Sequence, residues 1–264
     1  MATQPPPGLP LFYKNLQPIS SALHGRFRSR AADKAPFLAQ THAVPITVDE
    51  FFVVQRFYPI VFSAGEQPVP LALFSLNEGT NTFFDDEGKL IGPAYVPAYI
   101  RRYPWMLARL SEDAQELSLC FDPSTDLVGD FEEGDALFQD GQASEALNGI
   151  LKFCEEFEMA AQRTAAFVKE IQEAGLFMEG EASIQPQGAP QPMVYRGFQM
   201  IDENKIRDLP GDKLRKMNQN GMLPLIFAHL ISLPLVSDVF QRQVDQGKMP
   251  PMPGFNEQMA PAEA

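Results

Sequence analysis

Between Tyr95 and Trp105 the chain reads YVPAYIRRYPW. Two adjacent guanidinium groups, Arg101 and Arg102, stand there among Tyr95, Tyr99, Tyr103 and the sole tryptophan. A guanidinium fork takes a carboxylate or phosphate through two parallel hydrogen bonds, and an aromatic face stacks on rings or cations. The segment therefore offers a site for an anionic or aromatic ligand, with Asn81 and His24 as further polar candidates. The competing reading is equally physical. In so acidic a chain the two arginines have carboxylates of their own to pair with, and the rings can be core.

Other chemistry finds less support. His24 follows Ser20 and Ser21 in a polar loop, but a triad is a matter of geometry and no nucleophile elbow is present. His229 lies inside an apolar run and reads as a satisfied core histidine. A carboxylate base such as Glu50 or Asp85 beside an Arg-stabilised anion would make an enzyme of unknown reaction, so catalytic residues stay unassigned. No glycine-rich phosphate loop occurs. Cys120 and Cys154 have no His or Cys at ligand spacing, and Cys154 falls on an apolar helix face as a buried thiol. Asp122, Asp126 and Asp130 lack the alternation of a calcium loop. No metal and no cofactor is expected.

Charge and hydropathy bound the setting. The 264 residues carry 21 Lys plus Arg against 34 Asp plus Glu, a net charge of −13. That excludes a general nucleic-acid binder, which needs a basic footprint. With 45% hydrophobic and 21% charged residues the composition is globular. Met1 to Pro10 has neither a basic nor an apolar signal region. The longest apolar run, Met222 to Val236, is shorter than the ~20 residues of a membrane span and is interrupted by Pro224 and Pro234. No transmembrane segment is expected. Cytoplasmic location is the default, with export to the cell surface without a cleaved signal as the alternative.

The elements that must position these residues are predicted as α+β, with a strand-rich N-terminal half packed against a long helix and a helical C-terminal region. Residues 1–10 read as a disordered Pro-rich arm and 247–264 as a disordered Pro/Met-rich tail. Over 11–121, strands are expected at 42–48, 60–63, 69–76, 80–84, 107–110 and 116–121. Thr47 or Asp49 caps a helix running to about Phe57, with Phe51, Phe52 and Val54 facing the core. Asp85 to Gly88 supply a turn, and Pro97 opens a short helical turn. Residues 122–142 form an acidic connector: Leu110 to Leu151 contains no Lys or Arg. From 143 to 246 the chain reads as mainly helical and as one compact unit with 11–121. Three- and four-residue apolar steps from Leu147 to Ile171 predict one helix over 144–174, with Ser144 as N-cap and Gly175 as terminator. Gly180 to Pro192 reads as a loop or weak hairpin and Met193 to Ile201 as a strand. Short helices follow to about Val244.

Taken in order, several segments resemble the SapC family of bacterial proteins over about residues 10–245. They are Leu11-Phe-Tyr-Lys-Asn15, the loop ending at His24, Val44-Pro45-Ile46 with Glu50-Phe51, and Tyr58-Pro-Ile-Val-Phe62. Asn81 with Phe83 and Phe84, the Tyr95–Pro104 block, Arg163-Thr164 with Phe167, Gly197-Phe198 and Leu230 to Leu233 complete the set. The Tyr95–Pro104 block is the most specific. The resemblance implies a soluble accessory or binding protein, with a surface-layer-associated role as the alternative, and it transfers no catalytic residues. The partner implied is a protein or a small anionic or aromatic molecule; oligomeric state is left open.

Overall fold

The computed structural model describes residues 8–31, 34–110, 116–185 and 191–249. The first part of the chain forms brief elements: β1 (Gln17–Pro18), α1 (Ser21–His24), β2 (Arg28–Ser29), β3 (Ala43–Pro45), α2 (Phe51–Val54), β4 (Ile60–Ser63) and β5 (Pro70–Leu73). Then come α3 (Ala98–Arg102), β6 (Trp105–Ala108) and β7 (Ser118–Phe121). The acidic stretch contributes β8 (Val128–Gly129), β9 (Asp135–Ala136), β10 (Phe138–Gln139) and β11 (Gln142–Ala143). The long helix α4 (Glu145–Glu173) leads to β12 (Phe177–Ile184) and β13 (Met193–Ile201). Four helices follow: α5 (Glu203–Arg207), α6 (Gly211–Gln219), α7 (Met222–Ser232) and α8 (Leu235–Asp245). The architecture is α+β, with small antiparallel sheets and one long helix.

Strand pairing makes a five-stranded antiparallel sheet in the order β12-β13-β4-β5-β3. A smaller sheet, β1-β7-β6, lines up Trp105 with Phe121 and Leu107 with Leu119. A third, β8-β2-β9, joins the acidic stretch to Arg28 and Ser29. Two apolar clusters result. The larger holds Phe51, Tyr58, Phe62, Phe74, Ile171 and Ile226. The smaller holds Trp105, Leu107, Phe121, Leu137, Leu147 and Cys154.

Helix α4 runs through both clusters, spanning about 44 Å at 1.5 Å per residue. Ser144 Oγ accepts from the Leu147 N–H at 3.1 Å, so the N-cap is the residue the sequence predicts. At the other end Gly175 takes φ +68 while the Leu176 N–H reaches the Ile171 carbonyl at 3.1 Å. That six-to-one bond satisfies a carbonyl the helix would leave open. Leu147 and Cys154 enter the smaller cluster; Phe167, Val168 and Ile171 enter the larger.

Four expectations are corrected or narrowed. Phe52 is 54% exposed, because α2 is a single turn whose inward positions belong to Phe51 and Val54. Residues 80–84 form no strand; they pass through hydrogen bonds to Asn81 and a lone bridge from Phe84 to Leu90. Residues 177–184 are a strand paired with β13, so of the loop and the weak hairpin expected from Gly180 the hairpin is present, and it begins earlier, at Phe177. Finally, the apolar stretch continues past Pro234, where turn bonds join α7 to α8. The Leu233 N–H bonds to the Leu230 carbonyl and that of Val236 to the Leu233 carbonyl. Met222–Asp245 is thus long and apolar enough, by length and composition alone, to cross a membrane. Here Ile226, His229 and Ser232 of this segment are buried, with Ser232 Oγ accepting from the Ile60 N–H at 2.8 Å.

Candidate functional site

Glu50 fixes the start of the Tyr95–Trp105 block. Thr47 and Glu50 form a capping box, in which Glu50 Oε2 accepts from the Thr47 N–H at 2.9 Å and from its hydroxyl at 3.0 Å. Its other oxygen, Oε1, accepts from the Ala98 N–H at 2.7 Å and from the Tyr95 hydroxyl at 3.1 Å. The carboxylate ties the entrance of α2 to the entrance of α3. Asp85 serves a turn: its Oδ1 accepts from the N–H groups of Glu87 and Lys89. Both carboxylates considered as bases are thus committed to backbone.

Successive residues on a helix point about 100° apart, so Arg101 and Arg102 leave α3 in different directions and take different partners. Arg101 is exposed. Its Nη2 donates to the Tyr95 hydroxyl at 2.9 Å and its Nε to the Val96 carbonyl at 3.1 Å. Its guanidinium lies 5.3 Å from the Phe153 ring centroid. Among the described residues it meets no carboxylate. Arg102 is only 4% exposed. It donates to Glu158 at 3.2 Å and stacks 4.1 Å from the Phe157 centroid, with Tyr99 and Tyr13 beyond. Its Nε is buried with no hydrogen-bond partner.

The tyrosines divide the same way. Tyr95 faces the outer rim with Arg101, and burial followed by the Glu50 charge raises its pKa. Tyr99 donates to the Leu11 carbonyl at 2.9 Å, and burial pushes it up to about 12 although the Arg102 charge opposes this. Tyr103 packs against Phe37 and Tyr13 and is raised by burial, then by Asp122. The peptide bond from Tyr103 to Pro104 is cis.

Asn81 and His24 do not join them. Asn81 is fully buried; its amide donates to the carbonyls of Leu38 and Thr41, and its oxygen accepts from the N–H groups of Phe83 and Phe84. All four hydrogen bonds serve the chain. His24 sits in the smaller cluster against Phe27 and Phe121, with Nδ1 accepting from the Ser20 N–H. Burial lowers its pKa. Both were expected beside the arginine block; neither lines the cleft at Arg101.

What does meet Arg101 is a two-lobed cleft between α3, the first turns of α4 and the loops around residues 30 and 89. The larger lobe, about 500 Å³, is lined by Leu38, Phe84, Leu90, Ile100, Tyr103 and Leu127, with Arg30, Lys89 and Arg101 at its edge. The smaller lobe, about 360 Å³, brings Arg30, Arg101 and Arg102 together with Phe153 and a single carboxylate, Asp135. Ser29, Arg30, Arg101, Trp105 and Ile150 line both lobes. Arg30 lies 3.6 Å from the Phe131 centroid and meets no carboxylate among the described residues. Lys89 is paired with Glu87 at 3.4 Å.

Arg30 and Lys89 were not singled out from the sequence. A signal existed: Arg26, Arg28 and Arg30 alternate within five residues of an acidic chain, a period that puts them on one side of an extended segment. Two of the three are spent on the acidic stretch, Arg26 on Asp130 and Arg28 on the Gly134 carbonyl. Arg30 is the remainder. Among the described residues no group of three or more His, Cys, Asp or Glu is placed to hold a metal ion.

The family model described as SapC matches residues 19–239, which takes in every lining residue named above and leaves Leu11 to Asn15 outside. No curated protein and no solved structure matches the chain.

Proposed function

The chain belongs to the SapC family, and from that premise we propose that it is a soluble accessory protein that binds a small anionic molecule in the two-lobed cleft. One observation carries the reading: in a protein of net charge −13, Arg30 and Arg101 stand at the shared rim of one cleft without a carboxylate partner among the described residues. Exposed cations of an acidic protein ordinarily find acids nearby, so two left over at one concavity favour an anion from outside. Binding without catalysis is the reading kept, because Glu50 and Asp85 are held by backbone N–H groups. A cytoplasmic setting and a protein partner delivering or receiving the ligand belong to the same proposal.

The sole tryptophan supplies the assay. Trp105 lines both lobes, so an occupant changes its emission. Titration with a panel of small carboxylates and phosphates should give saturable shifts. Arg30→Ala and Arg101→Ala should each weaken binding at least tenfold while leaving the melting temperature unchanged, since both side chains are exposed. A double variant with wild-type affinity for every binder would remove the cleft from consideration.

A further inference from the structure

The two lobes differ in kind, and the difference specifies the ligand. In the larger lobe, the walls away from the Arg30–Lys89–Arg101 edge are mostly apolar, with Ser29, Tyr103 and the Trp105 indole as the neutral polar side chains. A sugar or nucleotide body would leave most of its hydroxyls and ring nitrogens unpaired there, at a cost for each. Three guanidiniums and one carboxylate, Asp135, line the smaller lobe, and of the three only Arg102 is paired, with Glu158 behind it. Arg102 among them is buried and carries the unpartnered Nε. Ile150 and Trp105, common to both lobes, give the passage between them an apolar side beside Ser29, Arg30 and Arg101, which line both lobes as well.

We propose that the ligand is a single-headed amphiphile: an unbranched aliphatic chain bearing one carboxylate or phosphate. The head occupies the smaller lobe between Arg30, Arg101 and Arg102, and the chain lies in the larger lobe against Leu38, Leu90 and Ile100. This rests on the binding reading above and adds to it the class of molecule. Charge-assisted hydrogen bonds hold the head, and removal of apolar surface from water holds the chain. The cavity volumes lie within the range usual for small-molecule sites.

The test is Trp105 fluorescence, with calorimetry in parallel, on hexanoate, octanoate, decanoate, decyl phosphate and decanol, each below its micelle concentration. Affinity should rise about two- to fourfold for each added methylene, the upper figure being full burial. Decanol should bind about ten- to hundredfold more weakly than decanoate, and Arg101→Ala should abolish most of that difference. The comparison of decanoate with decyl phosphate identifies the head. Anions that bind with no dependence on chain length would overturn the amphiphile while leaving the anion site standing. Decanol binding as tightly as decanoate would overturn the placement of the head. Failure of every probe, short anions included, would remove both readings together.

Discussion

Replacing Glu50 tests whether one carboxylate organises the arginine block. The side chain is buried and accepts four hydrogen bonds, two from Thr47 and one each from Ala98 and Tyr95. In Glu50→Ala the capping box disappears, at about 1 kcal/mol. The Ala98 N–H is left buried without an acceptor, at about 1–3 kcal/mol. The vacated volume adds about 1 kcal/mol more. The sum is about 3–5 kcal/mol, a large share of a domain's stability. Glu50→Gln keeps the shape but offers one oxygen where two are needed, so one backbone N–H must face an amide N–H; about 1.5–3 kcal/mol is expected. Urea denaturation followed by circular dichroism reads both, as a lower midpoint with unchanged slope. A loss below about 1 kcal/mol in Glu50→Ala would refute the claim that this carboxylate sets the position of α3.

Three further outcomes are expected. His229 is buried, with Nδ1–H donating to the Ile60 carbonyl and Nε2 accepting from the Ile201 N–H, and burial lowers its pKa to about 4. The unfolded state therefore takes up this proton first, and stability falls as pH drops from about 6.5 towards 4. The loss is about 3 kcal/mol at 1.36 kcal/mol per unit. His229→Gln, compared with the wild type by urea melts at pH 7 and pH 5, should show about 2 kcal/mol less of this dependence. Gly88 has φ +77, and a Cβ there would lie 2.0 Å from the Ala35 carbonyl oxygen; Gly88→Ala should cost about 2–5 kcal/mol by thermal or urea melting. Arg102→Ala should cost about 3 kcal/mol. Arg102→Met should cost less than half of that, because Met refills the space beside Phe157 and Glu158, already 31% exposed, can return to water. Equal losses in the two Arg102 variants, again by urea melts, would show that the charge and not the packing matters.

Where the sequence was legible, a local pattern and its local stops agreed. The apolar steps of α4, the Ser144 cap and the Gly175 terminator all lie within the segment they define, and β13 alternates in burial over its first four residues. Where it was not, the decisive partner lay far along the chain. Gly180 and the Gly/Pro/Gln composition after it left loop and weak hairpin both open, and Gly180 stays in a strand because Phe198, directly opposite, lays its ring where a Cβ would be. Asn81 looked like a ligand group because nothing near it reveals the carbonyls of Leu38 and Thr41. The Tyr95–Trp105 block was visible as unusual, and helix geometry alone separates Arg101 from Arg102. That Arg30, some seventy residues earlier, completes the rim follows only from the pairing of the adjoining strand β2 with the acidic stretch.

The passage of α4 through both apolar clusters makes cooperativity a property of one rod. Leu147 and Cys154 anchor one end and Phe167 to Ile171 the other, so melting either cluster strips a face from the same helix. Amides in its central turns should exchange only with global opening. A chain severed between Ala143 and Ser144 would yield two fragments, each holding half of a seam. Such fragments should recover structure only on being mixed, and the cleft, whose walls include Arg101 from one piece and Ile150 from the other, would be rebuilt only in their complex.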